Sequence, residues 1–210
     1  MRTITDLPNN PSHYSFVEKK SEFISDACHV SSLEEAMDFV ESIRLSNPKA
    51  RHVAYAAICG DNNGRLCERM SDDGEPAGTA GKPILDVMRA SSLTDIVVTV
   101  TRYFGGILLG SGGLMRAYSR AAAGSVQNSQ MADIVSCKCF SCRIEYTQLR
   151  MFKHLLLKHN AEVVNEEYGV SIELKACVPC EESDRFLEAV KNTFAGAIIP
   201  DFCGVCSRIC

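Results

Sequence analysis

Long apolar runs are missing from this sequence. None approaches the roughly 18 consecutive apolar residues of a membrane-spanning helix, and Met1–Thr3 leads into polar sequence instead of a signal-peptide core. A large net charge is missing as well, since 22 Lys and Arg stand against 26 Asp and Glu, which leaves −4. We therefore expect a cytoplasmic protein with no membrane partner and no general attraction to nucleic acid.

Signatures of catalysis are also lacking. The sequence contains no Walker-type phosphate loop and no nucleophile beside a base in a complete catalytic constellation. With 210 residues, 46% of them hydrophobic and 23% charged, the chain is long enough for one large or two small cores. The composition indicates an ordinary globular protein, and the missing catalytic motifs favour a binding role over an enzymatic one.

Glycine is concentrated in one segment, because eight of the 14 glycines lie between Gly74 and Gly113. Glycine lets a backbone approach a ligand closely, and a strand–turn–helix passage here would present unpaired N–H groups and the positive end of a helix dipole. The segment therefore predicts an anion site, although the same glycines are also explained by tight turns alone. The predicted anion-binding residues are Lys82, Arg102, Tyr103, Gly105, Gly106, Gly110, Gly112, Gly113 and Arg116.

An acidic loop lies within the same segment, at Asp72, Asp73 and Glu75. Clustered carboxylates can hold Mg²⁺ or activate water, which would suit a hydrolase or a phosphate-handling enzyme. The alternative is a polar turn capped by Asp72, with salt bridges to nearby basic residues. His52, at the start of an apolar strand, is likewise open to a structural or a catalytic interpretation.

Cysteine is abundant, and its 11 copies cannot all pair with one another. Two C-x-x-C pairs, formed by Cys177, Cys180, Cys203 and Cys206, have the spacing of zinc or iron–sulfur ligands. They fall near the ends of two predicted strands, so the four thiols could meet at one end of a sheet. The alternative is that these cysteines are buried or merely reduced thiols. We expect this second interpretation, and therefore no cofactor; a zinc ion or an iron–sulfur cluster is the competing hypothesis.

A basic stripe is predicted on one helix, at Arg150, His154 and Lys158, with Lys153 beside it. The four-residue spacing places these groups on one face, opposite an apolar face. Such a stripe can follow the phosphates of a nucleic acid, but an ordinary solvated helix surface also explains it and is the more frequent case.

Hydrophobic periodicity predicts the elements of the first part of the chain. Ser32 and Glu35 have the spacing of a capping box and mark the start of a helix. Strands are predicted at His52–Cys59 and Ile96–Thr101, and 61–64 is predicted to be a turn.

A further helix is predicted to begin near Gly112, with Ser111 as its cap. Beyond it the pattern changes to strand–helix–strand–strand–helix–strand, the order of a ferredoxin-like βαββαβ unit. The sequence therefore predicts an α+β protein with two domains, 1–133 and 136–210.

Five motifs in order closely resemble the IMPACT/YigZ family, in its bacterial YigZ-type branch. They are Ser71–Pro76, Gly78–Pro83, Arg102–Gly106, Leu109–Leu114 and Arg116–Tyr118. The resemblance extends over nearly the whole chain. It implies a first domain of the IMPACT N-terminal type, with the ribosomal-protein-S5-domain-2-like fold that also occurs in domain IV of elongation factor G.

The second domain would then be a ferredoxin-like domain that resembles a further domain of that elongation factor. This resemblance favours a translation-associated regulatory protein whose partner is RNA, the ribosome or a translation factor, contacted through the glycine-rich basic segment. The competing hypothesis is a small-molecule enzyme, a hydrolase or phosphate-handling activity, that uses the acidic loop.

Overall fold

The computed structural model describes residues 1–60 and 65–209, so the turn predicted at 61–64 lies outside the described residues. The chain divides into two compact units, Met1–Asp133 and Ile134–Cys210. Among the described residues, no helix is both long and apolar enough to cross a membrane.

The elements in chain order are β1 (Arg2–Ile4), β2 (Ser12–Glu18), β3 (Ser21–His29), α1 (Leu33–Ser46), β4 (His52–Gly60), β5 (Leu66–Ser71), α2 (Gly81–Ala90), β6 (Ile96–Tyr103), α3 (Ser111–Asn128), β7 (Met131–Ile144), α4 (Leu149–Lys158), β8 (Glu162–Tyr168), β9 (Ile172–Pro179), α5 (Ser183–Thr193) and β10 (Asp201–Ile209).

The first unit is built on an antiparallel sheet with the strand order β2-β3-β6-β4-β5. Its central strand β6 is buried on both faces. Val98 and Val100 belong to the core formed with α2 and α3, whereas Val97 belongs to the core formed with α1. Because successive side chains of a strand point to opposite faces, this apolar strand is covered by helices on both sides, and its end delivers Arg102 to the edge of the core.

The two predicted helix starts have different outcomes. At α1 the Ser32 hydroxyl accepts the Glu35 N–H at 3.2 Å, and the Glu35 carboxylate accepts the Ser31 N–H at 2.7 Å, so the predicted cap is confirmed. At α3 the predicted Ser111 cap is wrong, because the helix already begins at Ser111 and its N-cap is Gly110. Gly110 has a φ of +73°, which an L side chain rarely adopts, and no side chain caps this helix.

Strand β1 has no counterpart in the sequence prediction, because three residues are too few to show a period. It pairs antiparallel with the first residues of β7, and Thr3 lies opposite Ala132. Thr3 and Ile4 are fully buried. The first unit is thus completed by residues that are far apart in the chain.

The second unit has the predicted βαββαβ order. Its strands pair antiparallel in the order β10-β7-β9-β8, which is the ferredoxin-like arrangement. Phe140, Phe152 and Phe186 form its core together with apolar residues of β9. The predicted α+β fold class is confirmed.

We expect a fragment of residues 1–133 to fold and to melt cooperatively, since it contains its own core and both partners of the β1–β7 pairing. A fragment ending at residue 129 lacks the partner of β1. Without its partner strand, β1 should detach and expose Ile4, so the free energy of unfolding should fall by about 1.5–3 kcal/mol, the contribution of one buried aliphatic side chain. Thermal and urea unfolding, followed by circular dichroism, would measure the stability of both fragments. Equal stability would contradict the role given to β1.

Candidate functional site

The glycine-rich segment forms one edge of the first unit, where β6 ends and α3 begins. At Gly105 a side chain cannot be accommodated, because a Cβ atom would overlap the backbone of Lys20. The Gly105 N–H donates to the Ser21 hydroxyl at 3.2 Å. Gly112 differs, since a Cβ there would make only an ordinary contact, 3.6 Å from an Arg116 guanidinium nitrogen. Gly105 is therefore required by the fold, and Gly112 is not.

Arg102 is buried, with only 6% of its side chain exposed. One guanidinium nitrogen donates to Glu75 Oε1 at 2.6 Å, and the charged carbon lies 5.4 Å from the ring centres of both Phe23 and Phe104. Its Nε–H has no hydrogen-bond partner among the described residues. Arg102 was predicted to bind an anion directly, but its positive charge is already paired inside the fold.

Glu75 connects Arg102 to α3. The Tyr118 hydroxyl donates to Glu75 Oε1 at 2.9 Å, and Tyr118 is fully buried. Burial, followed by the negative charge of Glu75, raises the pKa of Tyr118, so this group remains a hydrogen-bond donor. Arg102, Glu75 and Tyr118 therefore join the acidic loop, β6 and α3, and we call them the buried triad.

Asp72 organises the loop that leads into α2. Its two carboxylate oxygens accept the N–H groups of Gly78, Ala80 and Gly81 at 2.8, 2.9 and 2.9 Å. Partial burial by itself would raise the pKa of Asp72, but the three backbone donors outweigh it and hold this pKa below its ordinary value. The carboxylate is a structural cap of this turn.

Asp73 binds the end of α1 and the start of β4. Its carboxylate accepts hydrogen bonds from both terminal nitrogens of Arg44, at 3.1 and 3.0 Å, and from the N–H of Val53 at 2.7 Å. Burial opposes the charge, yet the Arg44 and Val53 bonds lower the pKa of Asp73 overall. His52 Nδ1 lies 2.8 Å from the Asp73 carbonyl oxygen, which can only accept, so Nδ1 carries a proton. All three carboxylates of the acidic loop are thus engaged within the fold.

Two cavities flank the start of α3. One, of about 380 Å³, we call the α3 cavity, and the other, of about 250 Å³, the β2 cavity; Leu109 lines both. The α3 cavity is lined by Arg51, His52, Glu75, Pro76, Arg102, Phe104, Leu108, Leu109, Gly110, Ser111 and Leu114. The β2 cavity is lined by Phe16, Glu18, Lys19, Leu109, Gly113, Arg116, Ala117 and Arg120.

The remaining predicted anion ligands are distributed unevenly around this edge. Arg116 is exposed in the β2 cavity. Lys82 lies on α2 and pairs with Asp86 at 3.2 Å, and the Tyr103 hydroxyl donates to Asn47 at 2.8 Å. Neither of these two residues lines a cavity at the start of α3.

Two exposed cations at this edge are not among the predicted anion-binding residues. Arg51 lines the α3 cavity, and Arg120 lines the β2 cavity with its charge 4.3 Å from the Phe16 ring centre. Arg51 directly precedes His52 at the start of β4, and this adjacent basic pair was the available signal. Arg120 could be found only once α3 had been placed against β2.

The basic stripe lies on α4 of the second unit. Arg150, His154 and Lys158 are exposed along one face, whereas Lys153 pairs with Glu166 at 2.7 Å. The opposite face buries Phe152 and the leucines of the second core. The stripe therefore retains three of its four predicted groups as solvent-facing side chains.

The four cysteines of the C-x-x-C pairs do not converge. Cys177 and Cys206 come together, but their neighbour is Cys139, and Cys180 and Cys203 lie outside this group. The reason is the strand order: β9 and β10 both pair with β7, so a cysteine of β7 lies between them.

Acid should destabilise the first unit through Asp72 and Asp73. Both pKa values lie below the ordinary 3.8 in the folded protein, so their contribution is fully present above that value and is lost as the pH falls through the folded pKa. Asp72→Asn leaves at least one backbone N–H without an acceptor and should cost about 1–3 kcal/mol at neutral pH. Urea unfolding over a pH series would measure this. Asp86→Asn, in an exposed pair, is the control and should cost under about 1 kcal/mol.

Substitution by alanine distinguishes a glycine that the fold requires from one that it does not. Gly105→Ala should destabilise by at least about 1–3 kcal/mol, because the new Cβ must displace the backbone of Lys20. Gly112→Ala should leave stability unchanged or raise it by up to about 1 kcal/mol, since alanine favours a helix. Melting temperatures of the two variants provide the comparison, and an equal loss in both would refute the assignment of Gly105 alone to the fold.

Comparison with known proteins agrees with this architecture. The Impact N-terminal domain matches residues 19–126, and a domain of unknown function (DUF1949) matches residues 142–197. A solved crystal structure, described only as that of a hypothetical protein, superposes with a TM-score of 0.66 at 31% identity and covers 97% of this chain and 98% of its own.

Two bacterial relatives match over most of their length. An IMPACT family member from Haemophilus influenzae is 35% identical over 181 residues, which cover 86% of this chain and 88% of that protein. The IMPACT family member YigZ from Escherichia coli is 35% identical over 182 residues, with the same two coverages. These matches, together with the two domains, show that the chain belongs to the IMPACT/YigZ family.

Proposed function

We propose that this protein is a cytoplasmic, translation-associated regulatory protein that binds RNA, ribosomal RNA included, at the start of α3. The observation that carries the proposal is the helix N-terminus at Gly110, which has no side-chain cap among the described residues and opens at the α3 cavity. Arg102 lines the same cavity, and its Nε–H has no hydrogen-bond partner in that part of the chain. The Nε–H favours a hydrogen-bond acceptor, and the positive end of the helix favours one that is negatively charged.

The helix provides the first part of the argument. α3 has 18 residues, and within the described part of the chain its N-terminus has no side-chain cap hydrogen bond. The positive end of such a helix, with its N–H groups directed outward, is a common site for phosphate. The exposed surface of Gly112 allows a phosphate to approach the backbone without a side chain in the way.

The cations around the cavities provide the second part. Arg102 is neutralised by Glu75, so the usable charge lies on the exposed groups Arg51, Arg116 and Arg120. Arginine binds phosphate oxygens through paired N–H donors. Arg51 lines the α3 cavity, and Arg116 and Arg120 line the β2 cavity, so the two cavities that flank the start of α3 both carry exposed positive charge.

Exposed apolar groups provide the third part. Phe104 is 43% exposed and Leu108 is 82% exposed, and both line the α3 cavity. Cations interleaved with an aromatic ring are typical of single-stranded nucleic-acid sites, where bases stack on the ring while phosphates contact the cations. The family resemblance to the folds of a ribosomal protein and an elongation factor supports a partner in translation.

We expect Arg116→Ala and Arg51→Ala each to weaken binding of a single-stranded RNA oligonucleotide by about 1–3 kcal/mol, the usual cost of a lost charge-assisted contact. Each should also flatten the salt dependence, because one phosphate contact fewer reduces its slope by about 0.7. Fluorescence anisotropy over a salt series measures both effects, and co-sedimentation with ribosomes tests the larger partner. Arg89→Ala is the control, since Arg89 is exposed on α2 but pairs with Glu68 outside both cavities.

Arg102→Ala should behave differently. It leaves Glu75 buried without its cation, so a loss of about 3–5 kcal/mol in stability is expected to accompany any change in binding. If Arg116→Ala and Arg51→Ala bind RNA like the wild type while Arg150→Ala with Lys158→Ala does not, the contact lies on α4 and the proposed site is wrong. If all of these variants bind normally, or the wild type binds neither RNA nor ribosomes, the proposal fails.

A further inference from the structure

A group of cysteines lies on the second unit, apart from its main core. Phe140, Leu174 and Ala176 face the core with the helices, whereas Cys139 and Cys177 belong to a separate cluster. Neighbouring residues of a strand point to opposite faces of the sheet, so these two cysteines lie on the face that the core does not use. Both are buried, at 6% and 4% exposure.

Three sulfur atoms converge there. Cys139 and Cys177 are register partners on β7 and β9, with Cα atoms 4.2 Å apart, and they are joined as a disulfide. The Cys206 sulfur, on β10, lies 3.3 Å from each of theirs. The three sulfurs lie within 4.8 Å of one another, and this is the one such group of metal-ligating side chains among residues 1–60 and 65–209.

Other buried cysteines have a different environment. Burial, followed by nearby acidic groups, raises the pKa of Cys59 and of Cys142 to about 12, so these thiols remain protonated. Neither belongs to the group of converging sulfurs. Cys59 and Cys142 are therefore explained as small buried residues in a chain that uses cysteine often. The frequent use of cysteine does not explain why three sulfurs from three adjacent strands lie at one point.

We propose that Cys139, Cys177 and Cys206, when reduced, bind one thiophilic d¹⁰ metal ion, Zn²⁺ or Cu⁺. Thiolates are the ligands that these soft ions select. Three strands hold the sulfurs together before the metal arrives, and Cys206, which is partly exposed, gives the metal access. Cu⁺ can use the three sulfurs alone, whereas Zn²⁺ takes water as a fourth ligand.

The disulfide must open first. Two molecules of a small thiol such as glutathione reduce the Cys139–Cys177 bond, which yields two cysteine thiols and one glutathione disulfide. The metal then replaces the protons of the thiols that it binds, and these protons are released to water. Oxidation and metal binding are thus mutually exclusive states of the same three residues.

The test uses full-length protein, reduced and kept free of oxygen. Zn²⁺ and, separately, Cu⁺ are titrated against a chromophoric chelator, and one equivalent of one of them should bind. Cys139→Ser and Cys206→Ser should each lower the affinity by roughly 100-fold. Cys180→Ser and Cys203→Ser are matched controls from the same two C-x-x-C pairs, and both should bind like the wild type.

A second measurement needs no substitution. Bound metal should slow the alkylation of the partly exposed Cys206 relative to the reduced, metal-free wild type, read by peptide mass spectrometry, while the exposed Cys203 is modified at the same rate in both. The proposal is overturned if the reduced protein binds neither ion. It is also overturned if Cys180→Ser or Cys203→Ser weakens binding as much as Cys139→Ser, because the ligands would then be the C-x-x-C pairs. Equal alkylation rates of Cys206 with and without metal would overturn it as well.

Discussion

The buried ion pair between Arg102 and Glu75 is the contact on which the candidate site depends. Charges with only 6% and 4% of their side chains exposed are stable only when paired, because the protein interior replaces their hydration poorly. Tyr118 adds a hydrogen bond to the same carboxylate oxygen. The buried triad consequently holds together the acidic loop, the end of β6 and α3. Because these elements border the α3 cavity, the triad also fixes the shape of its opening.

The same pair changes which residues are available to a ligand. In the linear sequence Arg102 and Arg116 look alike, since each flanks the glycine-rich turn. In the fold the charge of Arg102 is satisfied by Glu75, whereas Arg116 faces a cavity from the exposed side of α3. A sequence pattern cannot show whether a charged group is already paired, because its partner lies 27 residues away.

The four cysteines of the C-x-x-C pairs do not meet as the spacing predicted, and the reason is geometric. C-x-x-C spacing brings two thiols together in a loop, but here each pair begins or ends in a strand: Cys180 lies just beyond the end of β9, and Cys203 lies at a register shift of β10 between Phe202 and Gly204. Cys177 on β9 and Cys206 on β10 instead lie beside Cys139 of β7, the strand that pairs with both. The sheet order, and not the spacing along the chain, selects which sulfurs meet.

The sequence by itself determined the local elements, because hydrophobic period, capping residues and glycine positions act over a few residues. It predicted the α1 cap, the buried strand β6 and the βαββαβ order of the second unit. Tertiary structure alone decided the pairing of β1, the neutralisation of Arg102, the cavity positions of Arg51 and Arg120 and the meeting of three cysteines. Each of these depends on contacts between distant segments, and only the packed strands and helices specify such contacts.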